Sequence, residues 1–147
     1  MQPGVTKLDL KQLERKLSEF ILNVDSVTLA YLFGSTVRGE ANCLSDIDIA
    51  VLFDSTLTKK EAFDLQLKLI VDLGDLLKTK NVDLVVLNDS PLLLTFNIIR
   101  DGVILKSDER IRVHFETGIM SRYYDEQYYI KRHSKRAIER MAKGRLG

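Results

Sequence analysis

The sequence has no tryptophan, one cysteine and only two prolines in 147 residues. A lone Cys43 excludes an internal disulfide and a thiolate metal cluster, and it suggests a reducing compartment. So few prolines, beside eight glycines, exclude a collagen-like or low-complexity chain. No apolar run nears the roughly 20 residues that a membrane span needs. Met1-Gln2-Pro3-Gly4 lacks the basic-then-apolar opening of a secretory signal. The expectation is a cytoplasmic protein with no membrane partner. A strong charge excess is also missing. The formal net charge is +1, so bulk charge points to no nucleic acid. What remains is 45% hydrophobic and 29% charged, the profile of an ordinary globular chain whose length fits one domain and one core.

Hydrophobic spacing supplies the elements. Thr6 and Asp9 precede Leu10, Leu13, Leu17, Phe20 and Ile21, a capping pattern followed by the 3–4 spacing of an amphipathic helix. Val27 to Phe33 is β-rich and ends at a glycine. Asp46 to Phe53 alternates and then turns wholly apolar, which predicts a second strand. Thr58 and Glu61 form a capping box for a helix with Phe63, Ile70, Leu73, Leu76 and Leu77 inward. Val82 to Leu87 predicts a third strand. Ser90-Pro91 predicts a cap and a first-turn proline before a short helix to about Arg100. Val103 to Lys106 fits a short edge strand. From Asp108 the chain reads as one long helix, or two with a break near Gly118. The order α-β-β-α-β-α-β-α implies an α/β (α+β) domain with one mixed sheet and helices packed against it. A single domain spanning residues 1–147 is expected, with a core at about 7–106 and a helical C-terminal segment at about 108–147.

Three features carry chemistry. In Tyr31-Leu32-Phe33-Gly34-Ser35 a strand ends at a glycine, which lets a phosphate approach the backbone, and at a serine with a hydroxyl and an N–H to offer. Ten residues later comes Ser45-Asp46-Ile47-Asp48-Ile49-Ala50-Val51. Residues two apart share a strand face, so Asp46 and Asp48 project together while Ile47, Ile49 and Val51 enter the core. Neighbouring carboxylates raise each other's pKa unless a cation sits between them, and hard oxygen ligands suit Mg²⁺. Asp83, inside the apolar Val82-Asp83-Leu84-Val85-Val86, adds a third acid. Together they describe a two-metal site. Asp46 and Asp48 would bridge the ions. Asp83 would hold the catalytic ion and help deprotonate the nucleophile, while Gly34 and Ser35 would grip a triphosphate.

Phe33-Gly34-Ser35, ten intervening residues, then Asp46-Ile47-Asp48 resembles the signature of the DNA polymerase β-like nucleotidyltransferase superfamily. Gly34-Ser35-Thr36-Val37-Arg38-Gly39 continuing to Asp46 is most similar to the minimal, single-domain members, the MntA-like antitoxins of HEPN/MNT pairs. So are the stretch Asp101-Gly102-Val103-Ile104-Leu105 and the Tyr-rich helix after it. The resemblance implies a polymerase β-like fold, ATP as substrate and two Mg²⁺ ions. It implies Asp46, Asp48 and Asp83 as catalytic metal ligands and a HEPN-domain ribonuclease toxin as the partner that receives AMP on a tyrosine. Many relatives carry a basic residue directly after Gly-Ser. Here Thr36 stands in that place, and Arg38 is the candidate for the phosphate-facing charge.

Other residues have blander readings. His114 and His133 are isolated, and Cys43 has no catalytic partner. Tyr123, Tyr124, Tyr128 and Tyr129 crowd one helix, which suits packing or, alternatively, a protein-docking surface. From Lys131 onward Lys131, Arg132, Lys135, Arg136, Arg140, Lys143 and Arg145 face only Glu139. With no aromatic-basic recognition motif, direct nucleic-acid binding is not favoured. Two further functions compete with AMP transfer to a protein. One is an aminoglycoside-type small-molecule nucleotidyltransferase. The other is a non-catalytic antitoxin that binds its partner by occlusion.

Overall fold

The computed structural model describes residues 9–39 and 46–146, and its first helix shows how locally the chain sets its boundaries. Helix α1 (Leu10–Leu22) is capped by Asp9, whose carboxylate accepts from the Gln12 N–H while Gln12 answers the Asp9 backbone. The capping box is therefore Asp9 and Gln12 rather than Thr6 and Asp9; Thr6 lies outside the described residues. Leu13, Leu17 and Ile21 are buried, as their spacing predicts.

Strand β1 (Val27–Phe33) leads to a single helical turn, α2 (Ser35–Arg38), and then to β2 (Ile47–Phe53). Helix α3 (Lys59–Leu77) opens with the expected Thr58–Glu61 capping box. Its buried residues are Leu69, Leu73 and Leu77, whereas Phe63 is 58% exposed. The inward stripe begins with the partly buried Ala62 and Leu65 and misses Phe63, which sits on an outer face. Strand β3 (Val82–Val86) ends in a 3-10 turn at Leu87–Asp89, one residue earlier than the apolar run suggests. Helix α4 (Leu92–Asp101) has Pro91 itself at the capping position, and the Ser90 hydroxyl is taken up by Thr95 instead of by the helix end. Strand β4 (Val103–Lys106) is followed by one helix, α5 (Glu109–Leu146). Gly118 lies within it without a break.

The sheet order is β3-β2-β1-β4. β1 pairs antiparallel with β2 and β4, and β2 pairs parallel with β3, so the sheet is mixed. Parallel β2 and β3 need a crossover, which α3 supplies. Each sheet face has its own core. Ile47, Ile49, Val51 and Phe53 pack with Leu17, Leu73 and Leu77 from α1 and α3. Leu29, Tyr31 and Ala50 pack with Phe96, Ile98 and Ile99 of α4 and Ile119 of α5. The first part of α5 is thus built into the second core. Phe96 stacks on Tyr123 at 3.7 Å between centroids, and Tyr124 meets both rings edge-on.

A buried polar contact fixes the root of α5. The Tyr31 hydroxyl donates to Glu116 Oε2 at 2.6 Å. Glu116 in turn accepts from Arg112, which also holds Glu109. Burial and the Glu116 carboxylate push the Tyr31 phenol well above its ordinary pKa, so it stays a donor.

Leu73 is 1% exposed between α3 and the sheet, and Ile138 is 67% exposed. Leu73→Ala is expected to lower the unfolding free energy by about 2–5 kcal/mol. Ile138→Ala should change it by less than about 0.5 kcal/mol. Urea titration of both variants checks the pair.

Candidate active site

The site is assembled by strand register. In the antiparallel pair Phe33 lies opposite Asp48, and in the parallel pair Asp48 lies beside Asp83. Paired residues point to one face, so two carboxylates from different strands stand next to each other directly beside the end of β1. Asp46 immediately precedes β2 and is exposed. Sequence spacing brings Asp46 and Asp48 together. Only the register of β2 on β3 brings in Asp83.

Asp83 is itself exposed, so the cost of burying an acid in an apolar strand does not apply to it. Its place beside Asp48 is the better argument. Asp48 is half-buried and its carboxyl is pushed up to about 6. Burial is the main cause, followed by the charges of Asp83 and Asp46, while Arg38 pulls the other way.

Gly34 explains why β1 ends where it does. Its backbone sits at φ 83 and ψ −156, a region essentially confined to glycine. A Cβ there would lie 2.1 Å from Asp48 Oδ2. The missing side chain is what lets the turn pass against the carboxylate. Gly34 then caps α2, whose first residue is Ser35, and the carbonyl of Gly34 accepts from the N–H groups of Val37 and Arg38. Ser35 and Thr36 are half-buried, and Arg38 is exposed at the end of the turn. The Arg38 charge reaches both Asp48 and Asp101. Gly34, Ser35, Arg38, Asp46, Asp48 and Asp83 therefore gather around one end of the sheet. Cys43 and Ser45 lie outside the described residues.

The donor set fits a hard divalent cation. All three acids would offer oxygen ligands, and the charges of Asp83 and Asp46, which add to burial in raising Asp48, are a repulsion that a bound cation would relieve. Among the described residues no group of three or more His, Cys, Asp or Glu side chains is arranged to hold a metal ion by itself. Mg²⁺ does not require one, because it usually takes one or two carboxylates and completes its shell with substrate phosphates and water.

Sequence reasoning missed the Tyr31–Glu116–Arg112 contact, since nothing links positions 85 residues apart. It also missed Asn88, whose side chain accepts from the Phe53 N–H and donates to the Phe53 carbonyl, tying the end of β2 to the turn after β3. The only local signal was an asparagine directly after an apolar strand.

The sequence family described as Polymerase beta, Nucleotidyltransferase matches residues 15–111, and the chain belongs to it. It is a nucleotidyltransferase by family, with the mixed sheet and flanking helices of that fold. Among solved structures it is similar to a chain of a toxin–antitoxin complex with AMP-PNP, at 30% identity and TM-score 0.61, covering 77% of this chain and 90% of that one. It is also similar to a chain of the Shewanella oneidensis complex of a tri-AMPylated HEPN toxin with an MNT antitoxin. There the identity is 29% and the TM-score 0.57, with 81% of this chain and 91% of that one covered. A third match is a candidate minimal nucleotidyltransferase, at 27% identity and TM-score 0.52, with 67% and 98% covered. No curated protein matches the chain. No helix of the described residues is long and apolar enough to cross a membrane.

Two outcomes follow from this geometry. Gly34→Ala places a methyl group on Asp48 and forces a backbone region of order 1–3 kcal/mol unfavourable for alanine. Thermal melts should show lost stability, and calorimetry should show lost ATP binding. Asp48 has a folded-state pKa above its unfolded value, so its charge disfavours the fold above about 6, and the effect fades as pH falls towards 3.8. In EDTA, Asp48→Asn should therefore raise the melting temperature at pH 7.5 and leave it unchanged near pH 4. An equal gain at both pH values would show that charge is not the cause.

Proposed function

We propose that the chain transfers AMP from ATP to a tyrosine of a HEPN-domain ribonuclease toxin and acts as its antitoxin. The observation that carries this reading is the register pairing of Asp48 with Asp83 beside the Gly34 turn. It brings two carboxylates together beside that turn, and in this reading they serve as ligands for a metal–triphosphate and as a base for an incoming hydroxyl. Three similarities support the particular reaction. One similar complex holds AMP-PNP, and another contains a tri-AMPylated HEPN toxin. A mutant form of the MntA-HepT complex, at 29% identity, carries two Asp-to-Glu changes two positions apart, the spacing of Asp46 and Asp48.

In this reading Gly34 and Ser35 hold the β- and γ-phosphates, and Arg38 adds a positive charge to the same turn. Asp46, Asp48 and Asp83 would hold two Mg²⁺ ions. Bound there, the ions would neutralise the triphosphate and favour an in-line displacement. A tyrosine hydroxyl, with a pKa near 10, is a poor nucleophile until a base assists it. In this reading Asp83, exposed on the edge strand, takes its proton. The phenolic oxygen forms a bond to the α-phosphorus as the bond from that phosphorus to the β-phosphate oxygen breaks. Pyrophosphate leaves, and the tyrosine proton resides on Asp83. The product is a bulky phosphodiester with a negative charge, which on a ribonuclease surface repels RNA phosphates.

The test is the intact mass of the toxin after incubation with this protein, ATP and Mg²⁺, followed by separation and a ribonuclease assay. One or more AMP increments with lasting inactivation are expected. An unmodified toxin that regains activity on separation would instead favour occlusion. EDTA should weaken ATP binding, and Asp46→Ala with Asp48→Ala should abolish transfer. Asp83→Asn should reduce kcat by about 100-fold or more, the contribution of a general base, with ATP affinity changed only a few-fold. Wild-type turnover in Asp83→Asn would remove that role.

A further inference from the structure

Helix α5 contains 38 residues, on the order of 57 Å at 1.5 Å per residue. Its root is built into the domain through Phe115, Ile119, Tyr123 and the Glu116 contact with Tyr31. Beyond Tyr123 the character changes. Past Gln127, Tyr128 and Ile138 are each 67% exposed and Met141 is 62% exposed, and Tyr129 and Ile130 are exposed as well. A helix of about 20 residues with no packed face is marginal in water by itself. Apolar and aromatic side chains repeated along it form a surface that packing within this domain does not explain.

The charge on this arm identifies the kind of occupant. Lys131, Arg132, Lys135, Arg136, Arg140 and Lys143 accompany one acid, Glu139, over the same stretch. A second copy of the arm laid alongside would bring like charges together, which is destabilising. A bare polyanion such as RNA would satisfy the cations but leave Ile138 and Met141 in water. An acidic protein surface with apolar hollows satisfies both sets of groups, and Tyr is a residue type enriched at such contacts.

We propose that the part of α5 from Tyr128 to Lys143 is a docking arm for the acidic face of the acceptor protein. This rests on the reading that the acceptor is a HEPN-domain toxin, and it adds where that toxin is held. The arm carries none of the site acids, so it retains the acceptor without taking part in the transfer.

The test uses the full-length chain and a HEPN-domain ribonuclease toxin. The variants are Lys135→Glu/Arg136→Glu/Arg140→Glu and, separately, Tyr128→Ala/Ile138→Ala. These positions are exposed, so folding is expected to survive, and circular dichroism checks that it has. The charge variant should bind the toxin at least about 10-fold more weakly, and added salt should weaken the wild type more than the variant. In AMP transfer both variants should raise KM for the toxin while kcat is retained. A toxin that binds the wild type but gains no AMP, with binding lost in the variants, sinks the proposed reaction and supports the arm. Unchanged toxin affinity in both variants overturns the arm, whatever is modified. So does a wild-type chain that ignores the toxin. Tighter binding of the arm to a fluorescent single-stranded RNA oligomer than to the toxin overturns it too, as does a wild-type dimer that the charge variant dissociates.

Discussion

The tight passage of the Gly34 backbone against the Asp48 carboxylate is the constraint on which the rest of the site depends. A Cβ at Gly34 would stand 2.1 Å from Asp48 Oδ2, so the turn and the acid occupy adjoining space only because the side chain is absent. The contact exists because β1 and β2 pair with Phe33 opposite Asp48. That register is held by what lies further along the strands. Slipping it by one residue would turn Ile47, Ile49 and Val51 out of the core they share with α1 and α3. The hydrophobic pattern of β2 therefore sets the distance between the Gly34 turn and the Asp48 carboxylate.

The two faces of the sheet divide the work. The face covered by α1 and α3 is wholly apolar and fixes the alignment of β2 with β3 through the α3 crossover. The other face carries Asp48 and Asp83 at one end and the contact of α4 and α5 with β1 further along. The acids lie together in an otherwise well-packed sheet, and the raised pKa of Asp48 reflects its burial first and the neighbouring charges of Asp83 and Asp46 second. Such strain is typical where a ligand is meant to complete the structure.

Much of this was legible in the sequence because it is local. Period-2 and 3–4 spacing gave the strands and the long helices, and Gly34-Ser35 with Asp46 and Asp48 gave the resemblance that the family match bears out. What was not legible was non-local. The apolar neighbours of Asp83 left open whether it is buried; it is exposed, because β3 is the edge strand and its flank faces outward. Phe63 looked like core because apolarity alone does not fix the angle around a helix. The caps of α1 and α4 each slipped, since Asp9 and Pro91 compete with neighbours that read equally well as helix starts. The tyrosines of α5 could not be divided by composition. Tyr123 is bound into the core by its stack on Phe96, while Tyr128 and Tyr129 are not.

The contact between Tyr31 and Glu116 has a mechanical meaning as well. A helix clamped at one end and unsupported at the other is a lever, with its fulcrum on β1, the same strand that ends at Gly34. About 35 Å of helix extends beyond Tyr123, so a tilt of about 10° at the root carries the tip through about 6 Å. The amplification also runs backwards: a load applied at the tip is felt as torque on the buried phenol.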